Sequence, residues 1–131
     1  MVTRAQHIGR CVLAVYVIVI LCMCLGTFQG PSGMWKTFLG IQMDKVVHFV
    51  MYLPYPALVF WSFYQGKNGK RLMLFALLVG IAYSGAVELM QALFTDTRSA
   101  EWGDLLANTL GMTAGGLAVG LALWVVRSCS K

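Results

Sequence analysis

Four predominantly apolar stretches, each long enough to cross a lipid bilayer as a helix, occupy most of this 131-residue chain. They run from Cys11 to Phe28, Val46 to Tyr64, Leu72 to Phe94 and Leu105 to Val126. About 30 Å of hydrocarbon requires roughly 20 helical residues, and the need to pair every backbone group in lipid leaves only helices or closed barrels. No short alternating strands separated by turns appear, so the expected fold is an all-α membrane protein. It is a bundle of four transmembrane helices forming one domain over residues 1–131, with helices at about 11–28, 46–64, 72–94 and 105–126. Composition agrees: the chain is 59% hydrophobic and 11% charged, which a 14.4 kDa soluble domain could not hide in its core.

The placement of lysine and arginine predicts orientation. Arg4 and Arg10, the connector residues Lys67, Lys70 and Arg71, and the tail residues Arg127 and Lys131 make seven of the ten cations; Lys36, Lys45 and Arg98 fall in the other two connectors. By the positive-inside rule both termini are cytoplasmic, and the chain is a multi-pass protein of the bacterial cytoplasmic membrane. Trp35 and Trp102 then flank the outer surface, and Trp61 and Trp124 sit at inner helix ends. The net charge of +5 is this inside signal plus attraction to anionic headgroups, so nucleic acid is excluded as a partner and membrane lipids are expected. The first helix is read as a retained membrane span rather than a cleaved signal, because its apolar run of 18 residues exceeds the usual signal core.

All five carboxylates then lie toward the outer side: Asp44, Asp96, Glu101 and Asp104 in connectors or helix ends, and Glu88 about two turns inside the third helix. An ionisable group in lipid is costly and is a functional-site hypothesis by default. Helical spacing gives it company. Gly80, Ser84, Glu88, Gln91 and Thr95 share one face of the third helix, and Asp104, Asn108, Gly111 and Gly115 share one face of the fourth. Gly116 and Gly120 offer a second stripe for close helix contact. In the second helix Lys45, His48, Tyr52 and Tyr55 follow the same pattern, with Pro54 and Pro56 predicting a kink beside them. The simpler reading of such stripes is packing glue, worth about 0.6 kcal/mol per hydrogen bond. Glu88 together with His48, Arg98, Asp104 and Asn108 argues for more than that.

The cysteines carry no metal-ligand or redox spacing. Cys22 and Cys24 point to different faces of one helix and Cys11 and Cys129 lie at the other end, so they are expected to act as small buried hydrophobes. No metal and no cofactor is expected from the spacing of any residues.

The set Asp44-Lys45-Val46-Val47-His48-Phe49 with Tyr52, Glu88-Leu89-Met90-Gln91 with Phe94, and Arg98, Asp104, Asn108, Gly111 and Gly115 resembles the signature of the VanZ-like family of small bacterial membrane proteins. The resemblance covers roughly Asp44 to Gly120. It implies a multi-helix membrane protein and, through the family's name-giving member, an association with resistance to the glycopeptide antibiotic teicoplanin.

Two functions follow as expectations. The first is a binding protein whose outward-facing polar pocket, made of Asp44, Lys45, His48, Tyr52, Glu88, Gln91, Arg98, Asp104 and Asn108, recognises a lipid, a lipid-linked cell-envelope precursor or a glycopeptide. The second is a membrane-embedded enzyme acting on a lipid-linked anionic substrate. There Glu88, His48 and Asp104 are the candidate acid-base residues, and Lys45 and Arg98 clamp the anion. No complete catalytic signature is present, which favours binding. Pro31-Ser32-Gly33 begins like a membrane phosphatase element, but Met34 stands where that element has histidine. Ion transport is disfavoured because the inner helix halves are mainly Leu, Val, Ala, Phe and Gly.

Overall fold

The computed structural model describes residues 2–25, 37–38, 41–94 and 101–130. Helix α1 spans Arg4–Leu25; a minimal antiparallel ladder pairs β1 (Thr37–Phe38) with β2 (Ile41–Gln42); then come α2 (Met43–Tyr52), α3 (Tyr55–Phe63), α4 (Gly69–Phe94) and α5 (Trp102–Cys129). Helices α2 and α3 together form one membrane-length segment, so four segments are long and apolar enough to span a bilayer. Each begins three to seven residues before the stretch read from hydropathy alone, because hydropathy marks the hydrocarbon and helices continue into the interface.

The break between α2 and α3 follows from proline. Pro54 and Pro56 lack the N–H groups that would bond back to Val50 and Tyr52, so the helix cannot run through. Lipid offers no water to carbonyls released at such a break, and neighbouring helices must supply donors. Tyr16 of α1 does so, its hydroxyl donating to the Met51 carbonyl. Tyr83 of α4 reaches the other way to the Val17 carbonyl of α1 at 2.7 Å. Two tyrosines thereby tie α1 into the bundle.

Small and polar residues point inward and large apolar ones outward. On α4 the buried residues are Ala76, Gly80, Ser84, Val87, Glu88 and Gln91; on α5 they are Asp104, Ala107, Asn108, Gly111, Met112 and Gly115. Leu78, Leu89, Leu93, Leu106, Leu110, Leu117 and Leu121 are exposed on the bundle surface. This inversion of the soluble pattern is stable because lipid solvates leucine as well as a protein core does, leaving close packing to drive helix association.

Close packing is tightest between α5 and α2. A Cβ on Gly111 would collide with the Phe49 carbonyl, and one on Gly115 with the Leu53 carbonyl. The glycine stripe that matters is therefore Gly111/Gly115. Gly116 only grazes Pro56 at 4.0 Å, and Gly120 has nothing within 4 Å, so the second stripe makes no close contact. The cysteines also depart from expectation: Cys24 is buried, whereas Cys11, Cys22 and Cys129 are exposed. A small side chain on a lipid-facing surface needs no burial, since lipid itself is apolar.

One end of the bundle gathers the start of α1 and the ends of α3 and α5. Gln6 donates to the Tyr64 carbonyl at 2.8 Å, Arg10 to the Ser62 carbonyl at 3.4 Å, and Arg127 to the Tyr64 hydroxyl at 3.4 Å. The described acidic side chains, with Asn108 among them, collect at the opposite end.

Candidate functional site

At that opposite end the Gly111–Phe49 contact sets α5 against α2, and one turn from it Asn108 meets His48. The His48 ring Nδ1 lies 3.0 Å from Asn108 Oδ1, and Asn108 Nδ2 donates to Ser84 Oγ at 2.7 Å. Since the amide nitrogen is committed to Ser84, the oxygen faces His48 and the ring donates from Nδ1. All three residues are nearly fully buried. The chain His48–Asn108–Ser84 links α2, α5 and α4.

Glu88 adjoins this chain without joining it. Its Oε1 is 3.8 Å from His48 Nδ1, beyond hydrogen-bond range. Both carboxylate oxygens are buried and, among the described residues, have no hydrogen-bond partner. The stacked neighbours on its own helix are occupied elsewhere: Ser84 accepts from Asn108, and Gln91 Nε2 donates to the Cys24 carbonyl at 2.6 Å. Gln91 thus also fastens α4 to the end of α1. The Tyr52 hydroxyl, on a residue only 1% exposed, is likewise without a hydrogen-bond partner.

Nearer the surface, Lys45 lies between carboxylates. Its ammonium is 3.0 Å from Glu101 Oε2 and 3.8 Å from Asp104 Oδ1, and it also donates to Gln42 Oε1. Three acceptors already engage it, so it differs from the open anion clamp expected from sequence. Asp104 is buried and, among the described residues, its Oδ1 has no hydrogen bond, while Asp44 is exposed. One donor atom each from Asp44, His48 and Asp104 falls within 4.8 Å of the other two.

Of the nine expected site residues, Asp44, Lys45, His48, Tyr52, Glu88, Asp104 and Asn108 sit at this end of the bundle. Gln91 is turned to α1, and Arg98 lies outside the described residues. Glu101 and Trp102 were not foreseen. They line, with Gly85, Glu88, Leu89 and Leu105, a cleft of about 300 Å³ between α4 and α5. Glu101 is the extended residue that caps the start of α5, three positions before Asp104, and that closeness in sequence was the available signal.

Chemically the site combines acceptors in excess, one occupied lysine, and a histidine held by an amide. Leu89, Leu105 and Trp102 give the cleft apolar walls, and Glu88 and Glu101 are its acidic lining residues. Comparison with curated proteins and with solved structures gave no match. Residues 13–124 match the family model described as VanZ/LLP1. That match reaches into all four membrane-length segments and takes in every residue of the cluster, and the chain belongs to the VanZ/LLP1 family.

Proposed function

We propose that this membrane protein binds the polar head of a lipid, a lipid-linked cell-envelope precursor or a glycopeptide-type molecule in the cleft that ends at Glu88, on the outer face of the bacterial cytoplasmic membrane. The observation that carries this reading is Glu88 itself. A buried carboxylate with neither oxygen hydrogen-bonded among the described residues costs several kcal/mol in an apolar medium, and a ligand that supplies donors would offset that cost. Hydroxyl, amide or ammonium groups, abundant on sugar and peptide portions of envelope precursors, are the right chemistry for two vacant acceptors. Leu89, Leu105 and the exposed Trp102 suit the acyl or isoprenoid part that enters from the bilayer side.

The test is co-purification. Wild-type protein extracted in mild detergent is expected to carry a defined lipid or precursor by native mass spectrometry, and Glu88→Gln is expected to lose it while remaining folded. Equal retention by both proteins would sink the proposal. A role in glycopeptide resistance predicts in addition that expressing the wild type, and not Glu88→Gln, raises the teicoplanin concentration a susceptible strain survives.

The enzyme reading draws on the same grouping of His48, Glu88 and Asp104, with His48 3.8 Å from Glu88. It separates from the binding reading through Asp104→Asn. An acid-base role predicts that bound lipid is retained but no longer altered; a binding role predicts no altered product in wild type either.

The outer-face assignment follows from the cations at the other end. A cysteine at Trp102 should react with an impermeant maleimide in intact cells, and one at Lys67 only after permeabilisation.

A further inference from the structure

We infer that Asp44, His48 and Asp104 hold a divalent ion of the first transition row, with Zn²⁺ as its simplest representative. The inference goes beyond the ligand reading and does not depend on it. Its first support is geometric: a carboxylate oxygen from each aspartate and a ring nitrogen of His48 converge within 4.8 Å. Donors around an ion at about 2.1 Å stand roughly 3–4 Å apart, so the three need draw together only slightly to share one.

The histidine is prepared for the role by its neighbour. Asn108 Oδ1 accepts from Nδ1 at 3.0 Å, and Ser84 fixes the amide by accepting from Nδ2 at 2.7 Å. A neutral ring that carries its proton on Nδ1 presents the lone pair on Nε2, and metal-bound histidines are characteristically oriented by such a partner on the second nitrogen.

The third support is independent of spacing. Asp104 is 5% exposed and its Oδ1 has no hydrogen bond among the described residues; Glu88, also 5% exposed, has none on either oxygen. Among the described residues, two buried carboxylates lie beside one imidazole, and their ionised forms are poorly tolerated in such a medium. Lys45 offsets this in part, at 3.8 Å from Asp104, but its shorter contact is to Glu101 at 3.0 Å. A divalent ion supplies what is missing. One imidazole and two carboxylates form a borderline-hard donor set suited to Zn²⁺, Mn²⁺ or Fe²⁺ rather than to Cu⁺. Three protein donors also leave coordination positions open.

Sequence spacing could not disclose this site, because two ligands come from α2 and the third from α5, 56 residues after His48.

The experiment uses the full chain with an affinity tag that contains no histidine, stripped with chelator in detergent and dialysed against Zn²⁺ alone. Elemental analysis is expected to find a single Zn²⁺ per chain, and Co²⁺ substitution a visible d–d absorption. Asp44→Asn and Asp104→Asn should each weaken Zn²⁺ binding by about tenfold or more. Asp44 is exposed, so Asp44→Asn keeps the test valid even where the buried variant fails to fold. His7→Ala removes the other histidine, an exposed residue at the opposite end, and should leave binding unchanged. No retained Zn²⁺ in the wild type, or Zn²⁺ lost with His7→Ala and kept with Asp44→Asn, overturns the inference. Protein that holds Zn²⁺ but no lipid defeats only the ligand reading; protein that holds lipid but no Zn²⁺ defeats only this one.

Discussion

Gly111 of α5 faces the main-chain carbonyl of Phe49 in α2 so closely that a Cβ has no room. The obstacle is backbone, which cannot rotate aside as a side chain would. The contact sets how far apart α2 and α5 stand, and hence whether Asn108 reaches His48.

Gly111→Ala is therefore expected to destabilise the protein by about 1–3 kcal/mol, the usual range for overpacking a filled core. Thermal unfolding in detergent measures it. Gly120→Ala is the control: with nothing near that position, it should match the wild type.

Glu88→Gln is expected to hold stability constant or raise it by about 1–2 kcal/mol, because it replaces a buried charge that has no hydrogen bond among the described residues with a neutral isostere. The same variant should lose ligand retention. Gain of stability with loss of function is the mark of a site that evolution has left strained. A clear fall in stability would show that Glu88 already has a strong internal partner.

The His48–Asn108–Ser84 chain should behave as a coupled unit. In a double-mutant cycle, His48→Ala and Ser84→Ala share Asn108 as intermediary, and a coupling of about 0.5–1 kcal/mol is expected. Additivity within experimental error would mean that the amide does not transmit between them.

Tyr16→Phe removes the hydroxyl that bonds the Met51 carbonyl at the proline break. Because lipid cannot replace the donor, the loss should cost about 1–2 kcal/mol. Tyr83→Phe, which frees the Val17 carbonyl inside an unbroken helix, should cost less, since that carbonyl keeps its helical partner. Thermal unfolding of the two variants side by side checks the order.

Much of the fold was legible before any coordinates. Four segments of sufficient length and apolarity dictate four helical crossings, since lipid removes every other way to satisfy the backbone. The proline pair dictates the α2–α3 break, and the spacing of Ser84, Glu88 and Gln91 and of Asp104, Asn108, Gly111 and Gly115 marks the faces that the structure buries. Helical period alone places them, because a face is a local property of one helix.

Only the tertiary structure decided who bonds to whom. Gln91 and Ser84 stack beside Glu88 along the helix, yet one turns to Cys24 and the other to Asn108. Lys45 is taken up by Gln42, Glu101 and Asp104. Among the described residues Glu88 has no hydrogen bond and lines a cleft, and Asp44 and His48 of α2 are brought to Asp104 of α5. The physical reason is range. Hydropathy and periodicity are set by residues a few positions apart, whereas these contacts depend on how α2, α4 and α5 are rotated and spaced, which the backbone contacts of Gly111 and Gly115 settle.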